Sequence, residues 1–205
     1  MARPTTAQRG REVRRRLLAV ACELIAEHGW TAVSTRMLAE RAGVTPGLVH
    51  YHFSSVQALL SEAAIGAMRD YLARIPELLD GAATPQHALE AVLGELDAHT
   101  GLDPASLLFV ETYLASTRDS ALREEISALL AHFRARLADR LARHGTADPE
   151  TTAAVLAAAI DGVLLHRPLS PGTTGADVAP VLGRILAPAA GGRGNDHTEG
   201  TGEPS

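Results

Sequence analysis

Apolar side chains recur along this chain with the period of an α-helix. Val13, Leu17, Leu18, Ala21, Leu24 and Ile25 share one face of a helical wheel, and Leu122, Ile126, Leu129, Leu130, Phe133, Leu137 and Leu141 share another. Each segment reads as an amphipathic helix with one buried stripe. Thr45-Pro46, Thr84-Pro85, Asp103-Pro104 and Asp148-Pro149 each set a capping oxygen beside a proline fit for the first helical position. Ser54 and Gln57 have the spacing of a capping box, and Gly29, Gly43, Gly81, Gly101 and Gly145 stand where helices could close on a left-handed residue. The pattern predicts helices over 9–28, 35–42, 46–52, 55–80, 85–99, 104–117, 120–144, 149–166 and 176–187, with no competing strand. From Pro188 to Ser205 almost nothing can be buried, which predicts a disordered tail.

Charge divides the helical chain in two. Residues 1–60 hold eight arginines against four glutamates, whereas residues 61–205 hold eleven arginines against twenty acids. The net charge of −5 averages a basic end with an acidic remainder, and the basic end is the one to test against nucleic acid. No stretch is long and apolar enough to span a membrane, and the first ten residues lack the apolar segment of a secretory signal. Cys22 is the sole cysteine, so an internal disulfide is excluded and a cysteine-based zinc site lacks ligands. A cytoplasmic protein is expected.

Residues 34–53 read STRMLAERAGVTPGLVHYHF. A short helix buries Leu38, Ala39 and Ala42, Gly43 permits a sharp reversal, Val44 plugs the corner, and Thr45-Pro46 opens a second short helix. This is the pattern of a helix-turn-helix, whose second helix is shaped to enter a DNA major groove. An arginine-rich helix precedes it and an acidic helical region follows, which favours DNA binding over a purely structural hairpin.

The larger arrangement, an amphipathic first helix, then AEHGW, then STRMLAERAGVTPGLVHYHFSSVQALL, resembles the DNA-binding domain of the tetracycline-repressor (TetR) family of bacterial transcription regulators. The specific match covers about residues 11–60; beyond it the likeness is in length, helical content and the segment AAIDGVLL. The resemblance implies an all-α fold, with a three-helix helix-turn-helix DNA-binding domain over 1–56 and a larger helical ligand-binding and dimerisation domain over 57–187. It also implies that Thr35 and Arg36 meet the DNA first. Arg36 could donate two hydrogen bonds to guanine. Thr45, Pro46, Gly47 and Leu48 would open the recognition helix at the groove floor, with His50, Tyr51 and His52 on its later turn. Two positions depart from the family: His50 replaces a usual tyrosine, and Val56 stands where a lysine commonly donates to phosphate. Arg9, Arg11, Arg14, Arg15 and Arg16 could supply a phosphate clamp or minor-groove arm instead, Arg14 foremost.

Other residues carry less chemistry. His50 and His52 point away from each other on a helix and cannot share a metal ion, and Cys22 lies on an apolar face as a structural thiol. No nucleophile elbow, phosphate loop or dinucleotide fingerprint is present, so neither an enzyme nor a metal or organic cofactor is expected. Polar groups inside apolar helices of the second domain need partners, and an unknown small-molecule effector could be one. Its candidate contacts are Met68, Tyr71, Leu72, Phe109, Glu111, Thr112 and Tyr113. A homodimer through about 120–144 and 149–166 would present two recognition helices to a palindromic double-stranded operator, and the effector would release this repressor from it. Two alternatives stay open: a ligand-independent DNA-binding dimer, and a helical small-molecule binder or enzyme with a vestigial motif.

Overall fold

The computed structural model describes residues 5–170 and 172–186, without the side chains of 76–80. Its helices are α1 Thr6–His28, α2 Thr35–Ala42, α3 Pro46–His52, α4 Val56–Gly81, α5 Pro85–Leu96, α6 Pro104–Ser116, α7 Ser120–Arg143, α8 Pro149–His166 and α9 Gly175–Gly183. Single 3-10 turns follow α1, at Trp30–Ala32, and α9, at Arg184–Leu186. Ala187 and the predicted tail lie outside the described residues.

The starts follow the caps. Thr84 accepts from the backbone N–H of His87, and Asp103 accepts from that of Ser106, both at 3.2 Å. α1 begins three residues earlier than expected because Thr5 and Gln8 form a capping box. Thr45 and Asp148 cap their helices by position only, since neither side chain bonds the helix and Asp148 takes a left-handed φ of 45°. The expected Ser54–Gln57 capping box is not formed. Ser55 takes the Ala58 N–H at 3.0 Å, and Gln57 is committed to the indole of Trp30 at 2.9 Å.

Helix ends show similar reassignments. Gly29, Gly43, Gly101 and Gly145 adopt positive φ as expected, whereas Gly81 closes α4 without doing so. α5 stops at Leu96 instead of 99, where Arg167 from the end of α8 donates to the carbonyls of Leu96 and His99 at 2.6 and 2.9 Å.

Two apolar cores result. The first unites Leu17, Leu24, Ile25, Trp30, Leu38, Val49, Phe53, Leu59 and Leu60 with Leu108 of α6 and Leu122 and Ile126 of α7. The second joins Leu89 and Leu93 of α5 to Leu137, Leu141, Leu156 and Ala179 of α7, α8 and α9. The expected division at residue 56 therefore runs through packed side chains. α4, α6 and the front of α7 complete the core beneath the helix-turn-helix, so movements of these helices reach it directly.

Candidate nucleic-acid interface

Ser34 starts α2 by accepting the Met37 N–H at 3.4 Å, which leaves Arg36 exposed and Thr35 half-buried at the leading turn. At the other end Gly43 has φ 63°, and the Val44 N–H returns to the Ala39 carbonyl at 2.9 Å. Glycine adopts this left-handed reversal without the Cβ penalty of other residues. The reversal aims α3 so that Val49 enters the core at 1% exposure while Pro46, Gly47, His50 and Tyr51 remain outside. Tyr51 is 81% exposed and meets the half-buried His52 edge-to-face at 5.1 Å. Leu48 is half-buried beside them. The Thr45 hydroxyl, unused as a cap, stands at the exposed start of α3.

Residues behind this surface hold it in place. Arg41 donates to both carboxylate oxygens of Glu27, at 2.9 and 2.8 Å, and lies 3.7 Å from Glu23, which pins α2 to α1. The hydrogen bond from Arg41 holds the Glu27 carboxyl below the usual carboxylate range. Arg14 is likewise occupied: its guanidinium forks onto Glu62 of α4 and lies 4.7 Å over the Phe53 ring. The structure thus gives Arg14 a partner inside the protein where the sequence suggested phosphate. Glu62 lies 48 residues away, so no local pattern signals the pair. Arg9, Arg11, Arg15 and Arg16 are exposed on the same helix. Val56 packs half-buried against the first core and supplies no donor.

The residues expected around an effector do not gather in one cavity. Thr112 is fully buried and its hydroxyl donates to the Leu108 carbonyl at 2.6 Å, whereas Tyr113 is 67% exposed. Glu111 reaches out of the second domain and accepts the backbone N–H of Trp30 at 2.8 Å. Met68 packs against the first core, and Leu72 is half-buried on α4. Tyr71 and Phe109 meet edge-to-face at 5.3 Å, with His99 6.0 Å from Tyr71. A separate small cleft, partly open to solvent, lies among Ile75, Leu89, Val92, Phe133, Leu156 and Ile160. Arg140 also lines it and donates to the Ala82 carbonyl at 2.8 Å. Its walls come from four α-helices and from Leu186 of the last 3-10 turn and carry no local motif, which is why sequence pattern does not find it. The Cys22 thiol donates to the Ala63 carbonyl at 3.5 Å, and burial pushes its pKa up to about 11. No helix among the described residues is long and apolar enough to cross a membrane.

Residues 17–63 match the model of the tetR family of bacterial regulatory proteins, and residues 80–188 match that of the tetracyclin repressor-like C-terminal domain. The HTH-type transcriptional regulator BetI of Rhizobium meliloti is 29% identical over 165 residues, 76% of this chain and 78% of that protein. The crystal structure of a transcriptional regulator from Streptomyces coelicolor A3(2) is 33% identical with a TM-score of 0.72, covering 86% of this chain and 99% of its own. A regulator from Saccharomonospora viridis, solved in complex with choline, shares the fold at 24% identity and a TM-score of 0.71, covering 86% of this chain and 96% of that one. The chain belongs to the TetR family and is a DNA-binding transcriptional regulator.

Proposed function

We propose that this regulator is a repressor that binds a palindromic operator as a homodimer and is released by a small lipophilic effector. The observation that carries the DNA half is the shared exposure of Arg36, Thr45, Pro46, Gly47, His50 and Tyr51 on two helices backed by a buried Val49. These residues read bases and grip phosphates, helped by Thr35, Leu48 and His52 at their margin and by the exposed arginines of α1. Support for pairing comes from the last helices. Val155, Leu165 and Leu169 are 49%, 54% and 81% exposed on and just beyond α8, apolar side chains that a second copy would cover.

The effector enters the cleft between α4, α5, α7 and α8. Its described walls are apolar apart from Arg140, and Phe133 is the one ring among them. A quaternary ammonium such as choline is held by aromatic cages or carboxylates, so these walls suit an uncharged lipophilic compound better. The protein acts by binding and not by turnover, and the effector's leverage equals its differential affinity for the two conformers.

Selection of bound sequences from random duplex DNA by the purified protein tests this reading, repeated with Arg36→Ala and His50→Ala. A palindrome whose enrichment either substitution weakens is expected. No enrichment at modest salt would overturn it.

A further inference from the structure

Glu111 belongs to α6 of the second domain, yet its carboxylate serves the first. Its Oε2 accepts the N–H of Trp30, the residue that opens the 3-10 turn between α1 and α2. Among the described residues this is the one hydrogen bond joining the segment 17–63 to the segment 80–188. The fit is close: a Cβ on Gly29 would lie 3.4 Å from the same Oε2, and the φ of 82° there already favours glycine. Trp30 itself is 6% exposed, and its indole N–H is held by Gln57 of α4. The corner in front of α2 is therefore clasped from both sides, by α4 through a side chain and by α6 through the backbone.

The other end of the path lies near the cleft. Ile75 lines the cleft, and Tyr71 sits one turn before it on α4. Tyr71 contacts the ring of Phe109 on α6 and that of His99, and His99 meets Asp103, the residue that caps α6. From Asp103 to Glu111 α6 is an unbroken rod. We infer that Glu111 is a positioning residue through which α6 transmits occupancy of the cleft to the recognition helix, in parallel with α4. The inference rests on the ligand-responsive reading above. The physical requirement is an acceptor at this reach: the Trp30 N–H is buried at the start of a turn, and without Glu111 it loses its partner. The glutamate fixes the corner in one arrangement, and a displaced α6 must carry the corner with it or break the bond.

The test uses the full chain, 1-anilinonaphthalene-8-sulfonate as the cleft probe and the duplex recovered by selection. The affinity of the dye is measured with and without that duplex, and the ratio is the coupling between the two sites, the same in both directions. Ala88→Phe, which fills the cleft, shows that the dye reports on it. For the unsubstituted protein a ratio of about fivefold or more is expected. Glu111→Leu, which removes the acceptor, and Glu111→Asp, which shortens it by one methylene, lower the ratio towards the part that α4 carries alone; Glu111→Gln, which keeps an oxygen in place, restores it. A merely structural role would shift both affinities and leave the ratio unchanged. Coupling undiminished in the Leu and Asp variants overturns the role of Glu111 alone. A ratio of one in the unsubstituted protein overturns the ligand-responsive reading and this inference with it.

Discussion

The Arg14 guanidinium lies 4.7 Å above the centroid of the Phe53 ring while its nitrogens engage Glu62. One side chain of α1 thus braces the end of α3 against α4. Arg14→Ala is expected to lower stability by about 1 kcal/mol, the range of a half-exposed cation–π contact and a surface ion pair. It leaves the slope of log affinity against log salt unchanged. Arg36→Ala, by contrast, reduces that slope by about one or relaxes the sequence preference. Salt titrations of the two variants on one duplex separate the roles.

Gly43 and Gly101 both carry positive φ, at 63° and 79°, but only one has room for a side chain. A Cβ at Gly43 meets nothing within 4 Å, so Gly43→Ala costs about 1 kcal/mol for the left-handed backbone alone. A Cβ at Gly101 would lie 2.6 Å from Pro168 Cδ and 2.8 Å from the Leu164 carbonyl oxygen. Gly101→Ala therefore costs clearly more, about 2 kcal/mol or above. Denaturant midpoints at constant slope give both values.

Asp103 accepts from the N–H and hydroxyl of Ser106, from the Thr100 N–H and from His99. Burial pushes its carboxyl up, but the hydrogen bonds from Ser106 and His99 outweigh it and hold the pKa well below the usual carboxylate range. A depressed folded pKa stabilises the protein above the unfolded value of about 3.9 and loses that contribution as pH falls below it. Asp103→Ala is expected to cost about 1–2 kcal/mol near neutrality. The gap from the unsubstituted protein narrows as the medium is acidified below pH 4, which urea unfolding across the acid range follows.

The Cys22 thiol, with its pKa raised to about 11, stays protonated near neutrality. Thiol reagents should modify it slowly at pH 8 in the folded protein and rapidly in denaturant. A thiol count taken against time, with and without urea, checks this.

Local chemistry made most of the helices legible. Pro46, Pro85 and Pro104 are each the first residue of a helix, and Gly43 closes α2 where the turn motif required it. The exposure of Arg36, His50 and Tyr51 follows from the same short-range pattern, because Leu38, Ala39 and Val49 fix which face is buried. Long-range partners escaped. Glu111 looked like a ligand contact because a carboxylate in an apolar helix needs a partner, but that partner is Trp30, 81 residues distant. Arg14 looked like part of a basic arm until Glu62 was brought beside it. The cleft walls are ordinary core residues one by one, and only the crossing of their helices leaves the space between them.

Trp30 is the one tryptophan in the chain. Nature has therefore placed a single indole fluorophore at the junction of the two segments, shielded from water and hydrogen-bonded to α4. Its emission and lifetime report on that junction without any attached label. Rapid mixing with DNA can time the rearrangement of the corner directly, and no other residue contributes tryptophan background.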